Sequence, residues 1–196
     1  MAEATRAEGL HVVLVGMMGS GKTTVGRRLA AHLGRPFFDA DEELALRTGR
    51  TVREWFENSG EDAFRQAETE VLHKLLAEPS AAVIAAGGGL VVREVNRRSL
   101  AEEAFVVWLR ADPPFLAGRV QQKDHRPLID GDVAATLSRL HAERAGWYDE
   151  VADAVIDVEP VHLSSASPKK ELASMIADHL GRIAPAAVTL DRRVRR

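Results

Sequence analysis

The sequence predicts an α/β protein of three layers, in which a five-stranded parallel sheet lies between two layers of helices. Two observations lead to this fold class: five short apolar runs are separated by helical patterns, and the first run leads through a glycine-rich loop into a helix. Parallel strands need crossover connections, and helices supply them while covering both faces of the sheet. The length of 196 residues suits one such domain and is short for two.

In the first half of the chain the predicted strands are 10–15, 37–39 and 81–86. The predicted helices are 25–33, 42–47, 52–58 and 61–76. Val25, Leu29 and Leu33 share one face of the first helix, which is the spacing of an amphipathic helix. Gly49 and Gly60 separate the later helical patterns from one another, because glycine favours helix termination.

In the second half the predicted strands are 104–109 and 154–158. The predicted helices are 93–100, 133–148 and 168–180. A further helix is predicted to follow Asp112, which caps it, with prolines in its first turn. The polar segment 121–132 has little to bury and is predicted to be a mobile loop. The predicted organisation is a flexible N-terminus (1–9), one domain (10–182) and a flexible basic tail (183–196).

Composition excludes several classes of protein. The formal net charge of -3 gives no electrostatic footprint for nucleic acid or for an anionic membrane. The absence of cysteine excludes a disulfide framework and a thiolate metal site. No apolar run approaches the roughly 20 residues of a membrane span, and the N-terminus lacks a signal core. We therefore expect a cytoplasmic protein without membrane or nucleic-acid partners, with a monomer as the default state.

The glycine-rich loop carries the clearest chemical signal. Residues 16–24, Gly-Met-Met-Gly-Ser-Gly-Lys-Thr-Thr, fit the phosphate-loop pattern G-x-x-x-x-G-K-[ST] at every fixed position, between a strand and a helix. Glycines let the chain curl so that several backbone N–H groups point at one anion. Lys22 adds a charge for the β- and γ-phosphates, and Thr23 offers a hydroxyl to Mg²⁺. The predicted nucleotide contacts are Gly19, Ser20, Gly21, Lys22, Thr23 and Thr24.

Two further groups lie at the predicted carboxyl ends of neighbouring strands, where ligands of parallel sheets bind. Asp39 and Asp41 can divide the work of phosphoryl transfer, one holding Mg²⁺ through water and one orienting an acceptor hydroxyl. The third strand ends in Gly87–Gly89 instead of an acid, so Asp39 is the expected metal partner. Three glycines let a small ligand lie against backbone. No Asn-Lys-x-Asp motif is present, which argues against a GTPase.

Three arginines complete a pattern that resembles the shikimate kinase family. Arg65, Arg126 and Arg144 carry the planar guanidinium that binds a carboxylate or phosphate with two hydrogen bonds. The matching segments occur in the family's order: 16–26, 39–41, 60–68, 87–89, 107–109 and 126–128, followed by Arg144 with Tyr148. Within 60–68 the matching residues are Gly60-Glu61, Phe64-Arg65 and Glu68. The resemblance covers about 10–157, which is most of the chain.

The resemblance implies a nucleoside-monophosphate-kinase-like fold with a lid, and Mg²⁺-dependent transfer of phosphate from ATP to the 3-hydroxyl of shikimate in aromatic amino-acid biosynthesis. Asp41 would hold the acceptor hydroxyl and serve as its base, while Lys22 and the lid residue Arg126 would act on the transferring phosphate. Asp39 would reach Mg²⁺ through water beside Thr23.

The same resemblance assigns the remaining contacts. Arg65 and Arg144 would clamp the substrate carboxylate, and the backbone of Gly87, Gly88 and Gly89 would receive its ring hydroxyls. Phe56 and Phe64 would wall the pocket, and Arg119 would lie against adenine. The segment 159–167, in the position of the family's adenine loop, contains no arginine, although some members supply one.

Two other interpretations stay open at this stage. A relative of the same fold could phosphorylate a sugar acid, a cyclitol or a nucleoside monophosphate; the combination of two arginines, three glycines and Asp-x-Asp favours an acceptor with one carboxylate and several hydroxyls. A non-catalytic nucleotide-binding module is the second alternative. Such a module would be expected to lose Lys22, Asp41 or Arg126, and all three are present.

Overall fold

The computed structural model describes residues 9–120 and 132–187 and contains a five-stranded, all-parallel sheet in the order β2-β3-β1-β4-β5. The strands are β1 (His11–Val15), β2 (Phe37–Asp39), β3 (Val83–Ala85), β4 (Ala104–Arg110) and β5 (Ala154–Asp157). This sheet confirms the predicted fold class and all five predicted strands.

Eight helices connect and cover the strands in the described part of the chain. They are α1 (Lys22–Leu33), α2 (Ala40–Thr48), α3 (Val52–Leu76), α4 (Glu94–Glu103), α5 (Pro113–Val120), α6 (Val133–Val151), α7 (Val158–Ser164) and α8 (Pro168–Ala187). Helices α1 and α8 pack against each other, whereas α4 contacts α3, α6 and β4. Among the described residues, no helix has both the length and the apolar character that a membrane span requires.

The sheet is apolar because its central strands are covered on both faces. Val13, Leu14 and Val106 are fully buried, as expected for parallel strands between two layers of helices. Helix α1 approaches the sheet closely at Gly26, where a Cβ atom would lie 2.6 Å from Cε2 of Phe37. This close packing holds the start of α1, and with it the phosphate loop, against the carboxyl edge of the sheet.

Gly60 divides α3 into the two helical segments that the sequence predicts. Its φ of 79° and ψ of 173° are not helical, and positive φ is a conformation that glycine adopts without a steric penalty. The break brings a ring from each segment together, since the centroids of Phe56 and Phe64 are 4.7 Å apart. The predicted walls of the pocket therefore meet at the kink.

The segment after β5 differs from the prediction. The interpretation of 159–167 as a connecting loop is wrong for its first part, because α7 spans Val158–Ser164. Val158 and Val161 lie three residues apart and are buried, and Pro160 falls in the first turn, where it is tolerated. Helix α8 also continues past the predicted end at residue 180, to Ala187. Residues 183–187, predicted to begin the flexible tail 183–196, therefore belong to this helix. The rest of that tail (188–196), residues 1–8 of the proposed N-terminal segment 1–9 and most of the proposed lid (121–131) lie outside the described residues.

The register of the strands brings the predicted functional segments to one edge. Ala85 of β3 is paired with Leu14 of β1 on one side and with Asp39 of β2 on the other. Gly16 and Gly87 each follow two residues beyond these pairs and therefore leave the sheet at the same level. The phosphate loop, Asp39 and the three glycines are neighbours because of this register.

Candidate active site

The phosphate loop adopts a glycine-dependent conformation between β1 and α1. Gly16, Gly19 and Gly21 have φ values of 136°, 86° and 101°, which residues with side chains rarely adopt. A Cβ atom on Gly16 would also lie 2.6 Å from the carbonyl oxygen of Leu109. No described side chain caps the start of α1, so the helix directs backbone N–H groups toward this loop. Such a helix N-terminus is suited to binding phosphate.

Two positively charged side chains donate hydrogen bonds to carbonyl oxygens of this loop. Nζ of Lys22 donates to the carbonyls of Gly16 (2.8 Å) and Met17 (3.1 Å). Nε of Arg119, at the end of α5, donates to the carbonyl of Gly19 at 2.8 Å, and its guanidinium lies 5.3 Å from the ring centroid of Phe115. The structure thus places Arg119 beside the phosphate loop; its contact with adenine stays a prediction.

Thr23 and Asp39 come together as a pair of oxygen ligands. Oγ1 of Thr23 donates to Oδ2 of Asp39 at 2.6 Å, and Oδ1 of Asp39 accepts the backbone N–H of Asp41 at 3.0 Å as the cap of α2. Hydroxyl and carboxylate oxygens are the hard ligands that Mg²⁺ prefers, and Mg²⁺ commonly takes only one or two of them from the protein. Within the described ranges no cluster of three or more histidine, aspartate or glutamate residues could hold a metal. This pair therefore fits a magnesium ion that is shared with phosphates.

A cavity of about 250 Å³ opens beside these groups. Its volume corresponds to about eight water molecules, which is the scale of a small metabolite. The residues that line it are Met18, Lys22, Thr23, Asp39, Asp41, Val52, Phe64, Arg65, Glu68, Ala86, Gly87, Gly88, Gly89 and Arg144. Lys22 and Thr23 belong to the phosphate-loop motif at the start of α1. Asp41 lies near Glu68, since a Cβ atom on Gly87 would be close to both carboxylates.

A buried ion pair between Arg65 and Glu68 forms part of the cavity wall. Nη1 of Arg65 donates to Oε2 of Glu68 at 2.8 Å, and the side chains are only 7% and 4% exposed. The exposed Glu61 accepts from Arg65 as well, at 3.1 Å. Burial raises the pKa of the Glu68 carboxyl, and the positive charge of Arg65 opposes that rise. The ring of Phe64, 5.0 Å from the guanidinium, covers Arg65.

Two of the three glycines make room for this pair. A Cβ atom on Gly87 would overlap a carboxylate oxygen of Glu68 and lie 3.0 Å from Oδ1 of Asp41. A Cβ atom on Gly89 would overlap the guanidinium of Arg65. None of these glycines has a positive φ, so their role here is the space that they leave rather than backbone freedom.

Gly88 contributes a carbonyl oxygen that receives two side chains of α6. Nη1 of Arg144 donates to it at 3.1 Å, and the hydroxyl of Tyr148 donates to it at 2.5 Å. Arg144 and Tyr148 are four residues apart, so they lie on the same face of the helix. Both side chains are buried. Nε of Arg144 has no hydrogen-bond partner among the described residues.

The structure brings most of the predicted site residues together. Asp41, Arg65, Arg144 and the three glycines share one cavity with the phosphate-loop residues Lys22 and Thr23. Phe64 lines the cavity, whereas Phe56 lies behind it, against Phe64 and Arg65. Ser20 and Thr24 lie in the loop and in the first turn of α1. The proposed lid residue Arg126 lies outside the described residues.

Sequence reasoning assigned no role to Glu68 or Tyr148. Glu68 follows Arg65 by three residues on a helix face whose other members, such as Leu72 and Leu75, are buried and apolar. An acid on such a face, one turn from an arginine, is a signal of a buried ion pair. Tyr148 has a similar signal, since it follows Arg144 by four residues.

Comparison with known proteins gives a consistent result. A family model described as shikimate kinase matches residues 18–180. Shikimate kinases of Dechloromonas aromatica and Caulobacter vibrioides are 45% and 47% identical over 148 and 149 residues, which are 75% and 76% of this chain and 80% and 72% of theirs. A structure of shikimate kinase from Acinetobacter baumannii in complex with shikimate superposes with a TM-score of 0.82 at 35% identity and covers 90% of this chain and 95% of that one.

The burial of Tyr148 predicts an unusual titration. The chain contains one tyrosine, and burial raises the pKa of its hydroxyl well above the ordinary value near 10. We expect the ultraviolet absorbance of tyrosinate to develop near pH 10 in denatured protein and only at higher pH in native protein. Because the folded pKa is the higher one, this group's stabilisation is complete below about pH 10 and decreases above it. A native titration near pH 10 would contradict the burial of the hydroxyl.

Proposed function

Because the chain belongs to the shikimate kinase family, we propose that its cavity binds shikimate with the carboxylate at Arg65 and Arg144 and the 3-hydroxyl at Asp41. As a member of the family, the protein transfers the γ-phosphate of ATP to the 3-hydroxyl of shikimate in a Mg²⁺-dependent reaction. The observation that carries the assignment of roles is the shared cavity, which Asp41 lines together with phosphate-loop residues and the two arginines.

The acceptor half follows from the chemistry of its groups. A guanidinium can donate two parallel hydrogen bonds to a carboxylate, and Nε of Arg144 is a buried donor without a described partner. The backbone of the glycine segment offers polar groups to ring hydroxyls where side chains are absent. Asp41 accepts the proton of the 3-hydroxyl as its oxygen attacks the γ-phosphorus, and the bond from that phosphorus to the β,γ-bridging oxygen breaks to release ADP. A carboxylate in this position contributes through orientation and general-base catalysis.

The donor half holds the triphosphate in line with that hydroxyl. Backbone N–H groups of the loop and the first turn of α1 bind the phosphates, and Lys22 moves its charge from the loop carbonyls to the β- and γ-phosphates. Thr23, and Asp39 through water, would hold Mg²⁺, and the ion would neutralise charge on the phosphate oxygens. Arg126 would act on the transferring phosphate, and Arg119 would contact the base.

Charge balance favours a carboxylate acceptor over a phosphate acceptor. At the acceptor end the two guanidinium groups are matched by the carboxylates of Glu68 and Asp41, and the exposed Glu61 also pairs with Arg65, so no excess of positive charge is present before a substrate enters. A carboxylate adds one negative charge, whereas a phosphate monoester adds about two. This balance disfavours a nucleoside monophosphate as the acceptor.

We further propose that the enzyme acts as a monomer in the cytoplasm, with no macromolecular partner needed for the reaction.

A side-by-side turnover assay tests the acceptor. ADP formation is measured with ATP and Mg²⁺ plus shikimate, quinate, gluconate or AMP at equal concentrations. We expect shikimate to be turned over with the highest kcat/KM, because it is the acceptor of the family's reaction and offers one carboxylate to the arginines and ring hydroxyls to Asp41 and the glycine backbone. Turnover of another acceptor without turnover of shikimate would refute the proposal.

Asp41→Asn tests the proposed base. The substitution keeps the shape of the side chain and removes its basicity, so we expect kcat with shikimate to fall by about 100-fold or more. Calorimetric titration should show unchanged affinity for ATP. The matched control is Glu42→Gln, which removes a neighbouring carboxylate that pairs with the exposed Arg27 outside the cavity. An Asp41→Asn enzyme with the rate of the control would exclude the role.

A further inference from the structure

The hydroxyl of Tyr148 lies at a junction between the two halves of the site. It donates to the carbonyl oxygen of Gly88 at 2.5 Å, and its oxygen is 3.7 Å from the sulfur of Met17 in the phosphate loop. The side chain is fully buried. Its ring is stacked on Trp108 of β4, with 5.6 Å between the centroids and 27° between the planes. The hydrogen bond to Gly88 and the stacking on Trp108 therefore fix the position of the phenol.

Gly88 faces the phosphate loop across a narrow space. A Cβ atom built on Gly88 would have the backbone nitrogen of Met18 at 3.5 Å and the carbonyl oxygen of Gly16 at 3.6 Å as its nearest neighbours. The same glycine belongs to the segment that lines the acceptor cavity. The hydroxyl of Tyr148 contacts both sides of this space, because it donates to the carbonyl oxygen of Gly88 and lies beside Met17 of the loop.

We propose that Tyr148 is a positioning residue, which fixes the Gly88 peptide between the phosphate loop and the acceptor cavity and so aligns the acceptor hydroxyl with the γ-phosphate. The inference rests on the proposed function, because it concerns the alignment of those two substrates. Tyr148 does not line the cavity, so its effect is transmitted through Gly88 and Met17.

The expected signature is a fall in kcat with little change in KM. Phosphoryl transfer depends strongly on alignment, and displacements of an ångström can lower the rate greatly. Arg144 also donates to the Gly88 carbonyl, so the segment remains attached when the tyrosine hydroxyl is lost. Ground-state binding of each substrate uses groups that the substitution leaves in place.

The test is Tyr148→Phe, which removes the hydroxyl and keeps the ring on Trp108. We expect kcat with shikimate to fall at least tenfold while KM for shikimate and for ATP each change less than threefold. The control is Val151→Ala, which removes buried methyl groups one turn further along α6. Assayed well below its melting temperature, the control should keep the wild-type kcat even where its thermal stability falls as much as that of Tyr148→Phe.

Met17→Leu provides a second variant that does not depend on the folding of Tyr148→Phe. It preserves the volume of the side chain and removes the sulfur beside the hydroxyl. We expect a smaller fall in kcat, again without a change in KM, and a double variant whose effect on kcat is less than the product of the single effects. Multiplicative effects would show that the two residues act independently and would contradict the proposal.

The outcomes separate this inference from the proposed function. Wild-type turnover of shikimate together with an unchanged kcat in Tyr148→Phe would overturn the positioning role alone. A rise in KM for shikimate with unchanged kcat would also overturn it, because it would assign Tyr148 to ground-state binding. A wild-type enzyme that does not act on shikimate would overturn both.

Discussion

The buried ion pair of Arg65 and Glu68 is the constraint on which the acceptor half of the site depends. Removing two charges from water is costly, and the cost is offset only where the partners meet in good geometry. Here the pair closes at 2.8 Å under the ring of Phe64. Loss of one partner from such a pair typically costs about 3–5 kcal/mol, so the site has little freedom to vary either residue.

The ion pair explains features that would otherwise be separate. A Cβ atom at residue 87 or 89 would overlap the side chain of Glu68 or Arg65, so the two glycines leave the space that the ion pair occupies. The glycine backbone then faces the cavity, where it can receive hydroxyl groups. The pair also offsets the charge of one of the two arginines, which suits a substrate with a single negative charge. Shape and charge therefore favour the same class of acceptor.

Much of the fold and of the site could be predicted from the sequence, because the decisive signals are local. The phosphate loop, Asp39 and the glycine segment each follow an apolar run, and a parallel sheet brings such segments to one edge. Helix α7 was missed, since a short helix with Pro160 in its first turn resembles a loop in sequence. The spacing of Arg65 and Glu68 on one helix indicates an ion pair but not the contacts of that pair with residues 87 and 89. The role of Tyr148 depends on its hydrogen bond with the distant Gly88, which spacing along α6 does not specify.

Calorimetric titration of Gly89→Ala with shikimate tests this account most directly. Gly89 has φ -105° and ψ 1°, a conformation open to alanine, so the substitution acts chiefly through the added Cβ atom. Because the added Cβ atom would displace Arg65, shikimate affinity should fall at least tenfold, or about 1.4 kcal/mol. ATP affinity should stay within twofold. Undiminished shikimate affinity in a folded variant would show that the position of Arg65 does not determine acceptor recognition.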